Sequence, residues 1–175
     1  MSRITDFYSG QLKHPKGFSI HDVWGWDYGQ LEFEHAHIQW LFPLPERSRA
    51  EPESPLLTDG DIKRFVERQE LHDGLLRSFI LLLRFYGFRL RSASGEPPEP
   101  VIEPTEEFDA RAKRWLNCNN HNYLRITRIL RSSTLLGLAP EAKEFFAALQ
   151  RVYVKNVAKI GSYTYSYWKN AIASN

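Results

Sequence analysis

At 175 residues, 42% hydrophobic and 14% aromatic, the chain has the make-up of a folded domain and not of a disordered tail, and it can bury roughly two thirds of the surface its unfolded form exposes. Its single cysteine, Cys118, rules out an intramolecular disulfide, and its longest apolar run, Phe79 to Leu83, is closed by Arg84 long before membrane-spanning length. The net charge of +2 hides a split, since residues 1–107 carry twelve Lys/Arg against eighteen Asp/Glu and residues 108–175 eleven against three.

Such asymmetry suits either mutual attraction between packed halves or a basic surface for phosphates, carboxylates or nucleic acid. The N-terminus lacks the basic, apolar, small-residue order of a signal peptide. With one cysteine, this predicts a reducing, intracellular compartment, the cytoplasm being the simplest.

In chain order, Ser19 with Asp22 three residues later predicts a capped but glycine-broken helix through "HDVWGWDYGQ". Leu31, His35, Ile38 and Phe42 recur at helical spacing, predicting a helix from Gln30 to Phe42 that Pro43 and Pro45 end. Thr58 and Asp61 repeat the start signal, with a helix from Asp59 that carries Ile62, Phe65 and Val66 on one side. The stretch Leu71 to Tyr86 is apolar around most of its circumference and predicts a central helix stopped at Gly87 in a left-handed cap.

Pro97, Pro98, Pro100 and Pro104 mark an internal loop over about 88–105. Thr105 then starts a helix through Trp115 and Leu116, and Asn117 to Asn119 turns the chain. The next helix is capped by Asn119 or Asn120 and closed by Gly137, with Leu138 packing back. Pro140 opens a helix whose apolar face is Phe145, Phe146, Leu149, Val152 and Tyr153, and Ser162 caps a last one. No alternating strand pattern or repeat emerges, so the expectation is a single all-α domain over residues 1–175, a bundle of six to eight helices.

Chemistry is less legible. His35 falls on the expected buried face, where a satisfied core histidine is the ordinary reading and a lining residue the alternative. His37, two positions on, points elsewhere, so "HAH" is a poor metal pair. His121 sits in the first turn of its helix, where the dipole disfavours imidazolium and a neutral hydrogen-bonding ring fits better.

A meeting of His35 and His121 would make an enzyme-like polar site or a simple brace between helices. No carboxylate or cysteine at metal spacing accompanies them, which predicts no metal or cofactor. Arg125, Arg128 and Arg131 form a slowly rotating ridge that, with Arg111, Lys113 and Arg114, offers a basic surface to an anion or nucleic acid. Nucleophile elbows, phosphate-binding glycine loops and HExxH are absent, and Cys118 near His121 lacks a third orienting group, so no catalytic residue is assigned.

The blocks "HAHIQWLFPLPE" (35–46), "LLRFYGFRL" (82–90) and "NHNYLRITRILRSSTLLGL" (120–138) resemble the conserved domain of the opioid growth factor receptor family, and the likeness runs from "ITDFYSG" to "YSYWKNAI". The resemblance implies a receptor module for an enkephalin-like peptide, a role in restraining proliferation, and a nuclear or perinuclear location or peripheral membrane association. It brings together His35, Gln39 and Trp40 from one block and His121, Asn122, Arg125 and Arg128 from another as candidate ligand contacts. A peptide or small anionic ligand with a free carboxylate would suit Arg125 or Arg128. The alternatives are nucleic-acid association through the basic C-terminal part and an enzyme using His35 and His121.

Overall fold

The computed structural model describes residues 2–95 and 98–173, and the chain divides into two compact units, Met1–Leu81 and Leu82–Asn175. Ten helices and two strands form among the described residues. Mostly helical architecture is therefore observed, but with more helices than expected and with a small antiparallel sheet inside the stretch assigned to a proline-rich loop. Glu96 and Pro97 of that stretch lie outside the described residues. No helix among the described residues is long and apolar enough to cross a membrane.

The first unit holds α1 (Arg3–Tyr8), α2 (Ile20–Trp24), α3 (Tyr28–Phe33), α4 (His37–Leu41), α5 (Asp59–Glu67) and the start of α6 (Gln69–Tyr86). Side-chain capping sets several of these starts. Ser19 and Asp22 form a reciprocal capping box on α2, and Thr58 and Asp61 another on α5, each satisfying backbone N–H groups that a helix start leaves bare. Ser2 and Thr5 do the same for α1, a start that the sequence reading did not assign.

Aromatic edges fill the core of this unit. Tyr8 packs edge-on against Phe65 at 4.8 Å and donates its hydroxyl to the Leu41 carbonyl. Burial pushes its phenol pKa up. Gly74 lets α6 approach Tyr8, since a Cβ there would stand 3.1 Å from the ring. Ser78 accepts from the Trp24 indole at 2.9 Å and donates to the Gly74 carbonyl.

The single helix expected from Gln30 to Phe42 is interrupted at Glu34, whose backbone is extended (φ −86, ψ 107). Its carboxylate accepts the Ala36 amide at 3.0 Å and Lys16 Nζ at 2.8 Å, while its carbonyl meets His37 Nδ1. Burial alone would raise its pKa, but the hydrogen bonds from Lys16 and Ala36 hold the net value below the usual carboxylate range. The break rotates the following turn, so the expected orientation is corrected: His35 is exposed and His37 is buried.

The second unit carries the end of α6, then β1 (Phe88–Ser92), β2 (Pro100–Pro104), α7 (Phe108–Trp115), α8 (Asn122–Leu135), α9 (Ala139–Lys155) and α10 (Val157–Ala173). In the sheet Phe88 pairs with Pro104 and Leu90 with Ile102. Both prolines of β2 sit at strand ends, where a missing N–H costs the ladder least. Phe88 and Ile102 are buried while Arg89 and Arg91 reach out to share Glu103, at 2.8 and 3.2 Å. Those two arginines hold the Glu103 carboxyl below its ordinary value.

Gly87 does adopt the left-handed conformation (φ 90) that ends α6. Its carbonyl accepts both the amide and the hydroxyl of Thr105, at 2.9 and 3.1 Å. Thr105 thus closes the sheet and does not cap a helix, so α7 begins three residues later than expected. Trp115, fully buried, donates its indole to the Tyr86 carbonyl at 3.1 Å, and Trp168 of α10 donates to the Tyr123 carbonyl at 3.1 Å. Gly137 (φ 100) closes α8, Leu138 is buried behind it, and Pro140 stands in the first turn of α9. Within α10, Gly161 leaves helical geometry (φ 79, ψ 149), so the regular C-terminal segment starts at Ser162 as the sequence indicated.

Candidate functional site

In the first unit His35 is exposed at the α3–α4 break, whereas Gln39 and Trp40 are 7% and 1% exposed. Gln39 Nε2 donates weakly to Ser48 Oγ at 3.4 Å. Trp40 meets Phe7 at 5.2 Å and His14 at 5.1 Å, with the Arg3 guanidinium 5.1 Å over its ring. His14, which the sequence reading passed over, is buried and stacked on Phe18 at 4.2 Å, and accepts the Lys16 amide at Nδ1. Burial, then the nearby Lys16 charge, pushes its pKa down to about 4.

In the second unit Asn120, Asn122 and Arg125 build a polar node at the start of α8. Asn120 Oδ1 accepts the Asn122 amide at 2.9 Å, and its Nδ2 donates to the Arg114 carbonyl at 3.0 Å, tying α7 to α8. Asn120 is therefore the residue that caps the helix start, as expected for an asparagine there. Asn122, fully buried, accepts at Oδ1 from Tyr86 Oη at 3.2 Å and from Arg125 Nη1 at 3.4 Å. His121 is exposed, with Nε2 3.4 Å from Asn122 Nδ2.

The expected arginine ridge is not a uniform surface. Arg125 is only 6% exposed, and Arg128 and Arg131 are half-buried. Arg111 turns onto the end of α6, donating Nε to the Phe85 carbonyl at 3.0 Å with its guanidinium 5.4 Å over the Phe85 ring. Lys113, on the next face of α7, takes a different part.

Lys113 borders a cavity of about 650 Å³ between α7 and α9, within the size range of small-ligand sites. Phe108, Ala112 and Leu116 follow one another at four-residue steps along α7, as do Ala148 and Val152 on α9, so each helix lays an apolar stripe along it. Lys113, Arg151, Lys155 and Lys159 stand on the rim against a single acid, Asp109. One edge of Arg151 is held, its Nη2 donating to the Ile102 carbonyl at 2.9 Å. Of the α9 stripe, the sequence places only Val152 on an apolar face, and nothing in it marks Ala148 or the cavity. Among the described residues no three His, Cys, Asp or Glu side chains converge as a metal site would require.

The opioid growth factor receptor (OGFr) conserved region matches residues 2–174. The chain is 35% identical over 153 residues to the opioid growth factor receptor of Homo sapiens, covering 85% of this chain and 21% of the receptor. It is 36% identical over 135 residues to opioid growth factor receptor-like protein 1 of Rattus norvegicus, covering 75% and 28%. The corresponding protein of Xenopus tropicalis is 34% identical over 135 residues, covering 75% and 25%.

The chain therefore spans between about a fifth and just over a quarter of the length of these relatives. No solved structure matches it. With the conserved region aligned along nearly every residue, and the helix caps and buried tryptophans falling inside that region, the chain belongs to the opioid growth factor receptor family.

Proposed function

We propose that this chain is a ligand-binding module of receptor type, taking a peptide or small anionic ligand. The observation that carries this reading is the α7–α9 cavity, where apolar stripes provide burial and four cations face one acid. Apolar lining with a few placed charges is the usual build of a ligand site. The relatives' name, opioid growth factor receptor, supports a peptide ligand, and a peptide's terminal carboxylate would be drawn to Lys113, Arg151 or Lys155.

Calorimetric titration of enkephalin peptides into the wild-type chain and into Lys155→Glu tests the reading. Heat from the wild type and at least a tenfold weaker affinity in the variant are expected. Absence of heat from every peptide removes the peptide form of the proposal.

A second reading keeps the carboxylate at α8, with His121, Asn122, Arg125 and Arg128 of the second unit as the ligand contacts. Its support is the fixed geometry of Arg125, whose guanidinium is already held against Asn122 Oδ1 and so loses little freedom on binding. Equal heats from wild type and Arg125→Ala would rule it out.

A further inference from the structure

The α7–α9 cavity is polarised along its length. Phe88 lies 5.1 Å from Phe108, at the start of α7, and 5.8 Å from Phe145, one turn before Ala148 on α9. At the other extreme Cys118, just past α7, has Sγ 3.9 Å from the Ala158 carbonyl, just past α9. The two helices therefore run in the same direction along the cavity. Phe108, at the start of α7, and Ala148, ten residues into α9, lie with Phe88 and the carboxylate of Asp109 toward one end, while Lys113, Lys155 and Lys159 gather with Leu116 toward the other. Among the described residues no carboxylate lies within ion-pairing distance of those three lysines.

We propose that this slot binds a single-tailed anionic amphiphile, a fatty-acid-like carboxylate whose chain lies toward the Phe88 end and whose head group meets Lys113, Lys155 and Lys159. The inference rests on the ligand-binding reading above and narrows it to one chemical class. Burial of the chain supplies affinity without directional demands, and the unpaired ammonium groups supply the preference for negative charge. Neither a cationic amphiphile nor a short carboxylate satisfies both ends.

The test is calorimetry on the whole chain with octanoate, decanoate and dodecanoate, each below its micelle-forming concentration, and with dodecyltrimethylammonium. Expected are one site per chain, affinity rising roughly two- to fourfold per added methylene, and no binding of the cationic amphiphile. Lys155→Glu combined with Lys159→Glu should weaken dodecanoate at least tenfold, and Ala148→Phe should abolish it while the helical circular dichroism is kept. If Ala148→Phe fails to fold, the exposed double lysine variant carries the test alone.

Dodecanoate binding that is unchanged in the lysine variant, or matched by dodecyltrimethylammonium, overturns the proposal. Heat from an enkephalin peptide but none from dodecanoate overturns the amphiphile while leaving the ligand-binding reading standing. Silence from both overturns the amphiphile and the peptide form of the ligand-binding reading together.

Discussion

The hydroxyl of Tyr86 donates to Asn122 Oδ1 at 3.2 Å with both residues fully buried, and Arg125 Nη1 reaches the same oxygen at 3.4 Å. One side-chain oxygen therefore serves the end of α6 and the second turn of α8. Tyr86→Phe removes one donor and leaves the acceptor occupied, so it should cost about 1 kcal/mol. Asn122→Leu removes the buried acceptor that both groups share and should cost about 2–4 kcal/mol. Urea unfolding with an unchanged m-value measures both, and equal losses would show that the shared oxygen is unimportant.

Gly87 joins two demands that Gly17 separates. Both have positive φ, 90 and 92, but a Cβ at 87 would stand 2.8 Å from the Phe108 backbone whereas at 17 it meets nothing within 4 Å. Gly17→Ala should cost about 1 kcal/mol for the backbone alone, and Gly87→Ala about 3 kcal/mol or more because α7 must also move. A pair of equal shifts in the denaturation midpoint would show that the close approach is not what constrains position 87.

The buried ring of His14 gives the first unit a pH dependence of known sign. Its folded pKa, about 4, lies below the ordinary 6.5, so between those values the unfolded chain takes up a proton that the folded chain refuses. Stability from this residue is complete above pH 6.5 and declines as pH falls toward 4. The groups facing the ring are Lys16, Glu34 and Arg3, the two cations reinforcing the effect and Glu34 opposing it. The stability difference between wild type and His14→Gln should therefore shrink steadily from pH 7 to pH 4.5. A pH-independent difference would assign the titration elsewhere.

Thr58 starts α5 through a reciprocal capping box that Arg64 reinforces. Its Oγ1 accepts the Asp61 amide at 3.2 Å and donates to Asp61 Oδ2 at 2.6 Å, and Arg64 closes on Asp61 Oδ1 at 3.2 Å. Thr58→Ala should cost about 1–2 kcal/mol and Thr58→Ser close to nothing. Thermal unfolding of the pair checks this, and a serine variant as unstable as the alanine one would point to the methyl group instead of the hydroxyl.

Features written within a few residues of each other are legible from sequence: the boxes at Ser19 and Thr58, the glycine stops at 87 and 137, and a helix start at Ser162. Those requiring a distant partner are not. The prolines at 100 and 104 look like loop until β1 supplies a register that places them at strand ends. The helix break at Glu34 depends on a carboxylate turning back to the Ala36 amide, which no hydrophobic periodicity records, and it exchanged the roles of His35 and His37. Of the basic residues at 111, 113 and 114, Arg111 is drawn onto Phe85 and only Lys113 lines the cavity. Spacing along one helix cannot announce which other helix will lie beside it.

Ala112 and Ala148, the smallest side chains in the cavity lining, carry no charge, while the lysines and Arg151 on its rim contribute the net charge and stand on other positions. Girth and polarity are thus assigned to separate residues. Relatives or designed variants can widen or narrow the opening at 112 and 148 without altering which ions are attracted, and can invert the attraction at 155 and 159 without changing what fits. Two kinds of selectivity can then drift independently on one unaltered scaffold.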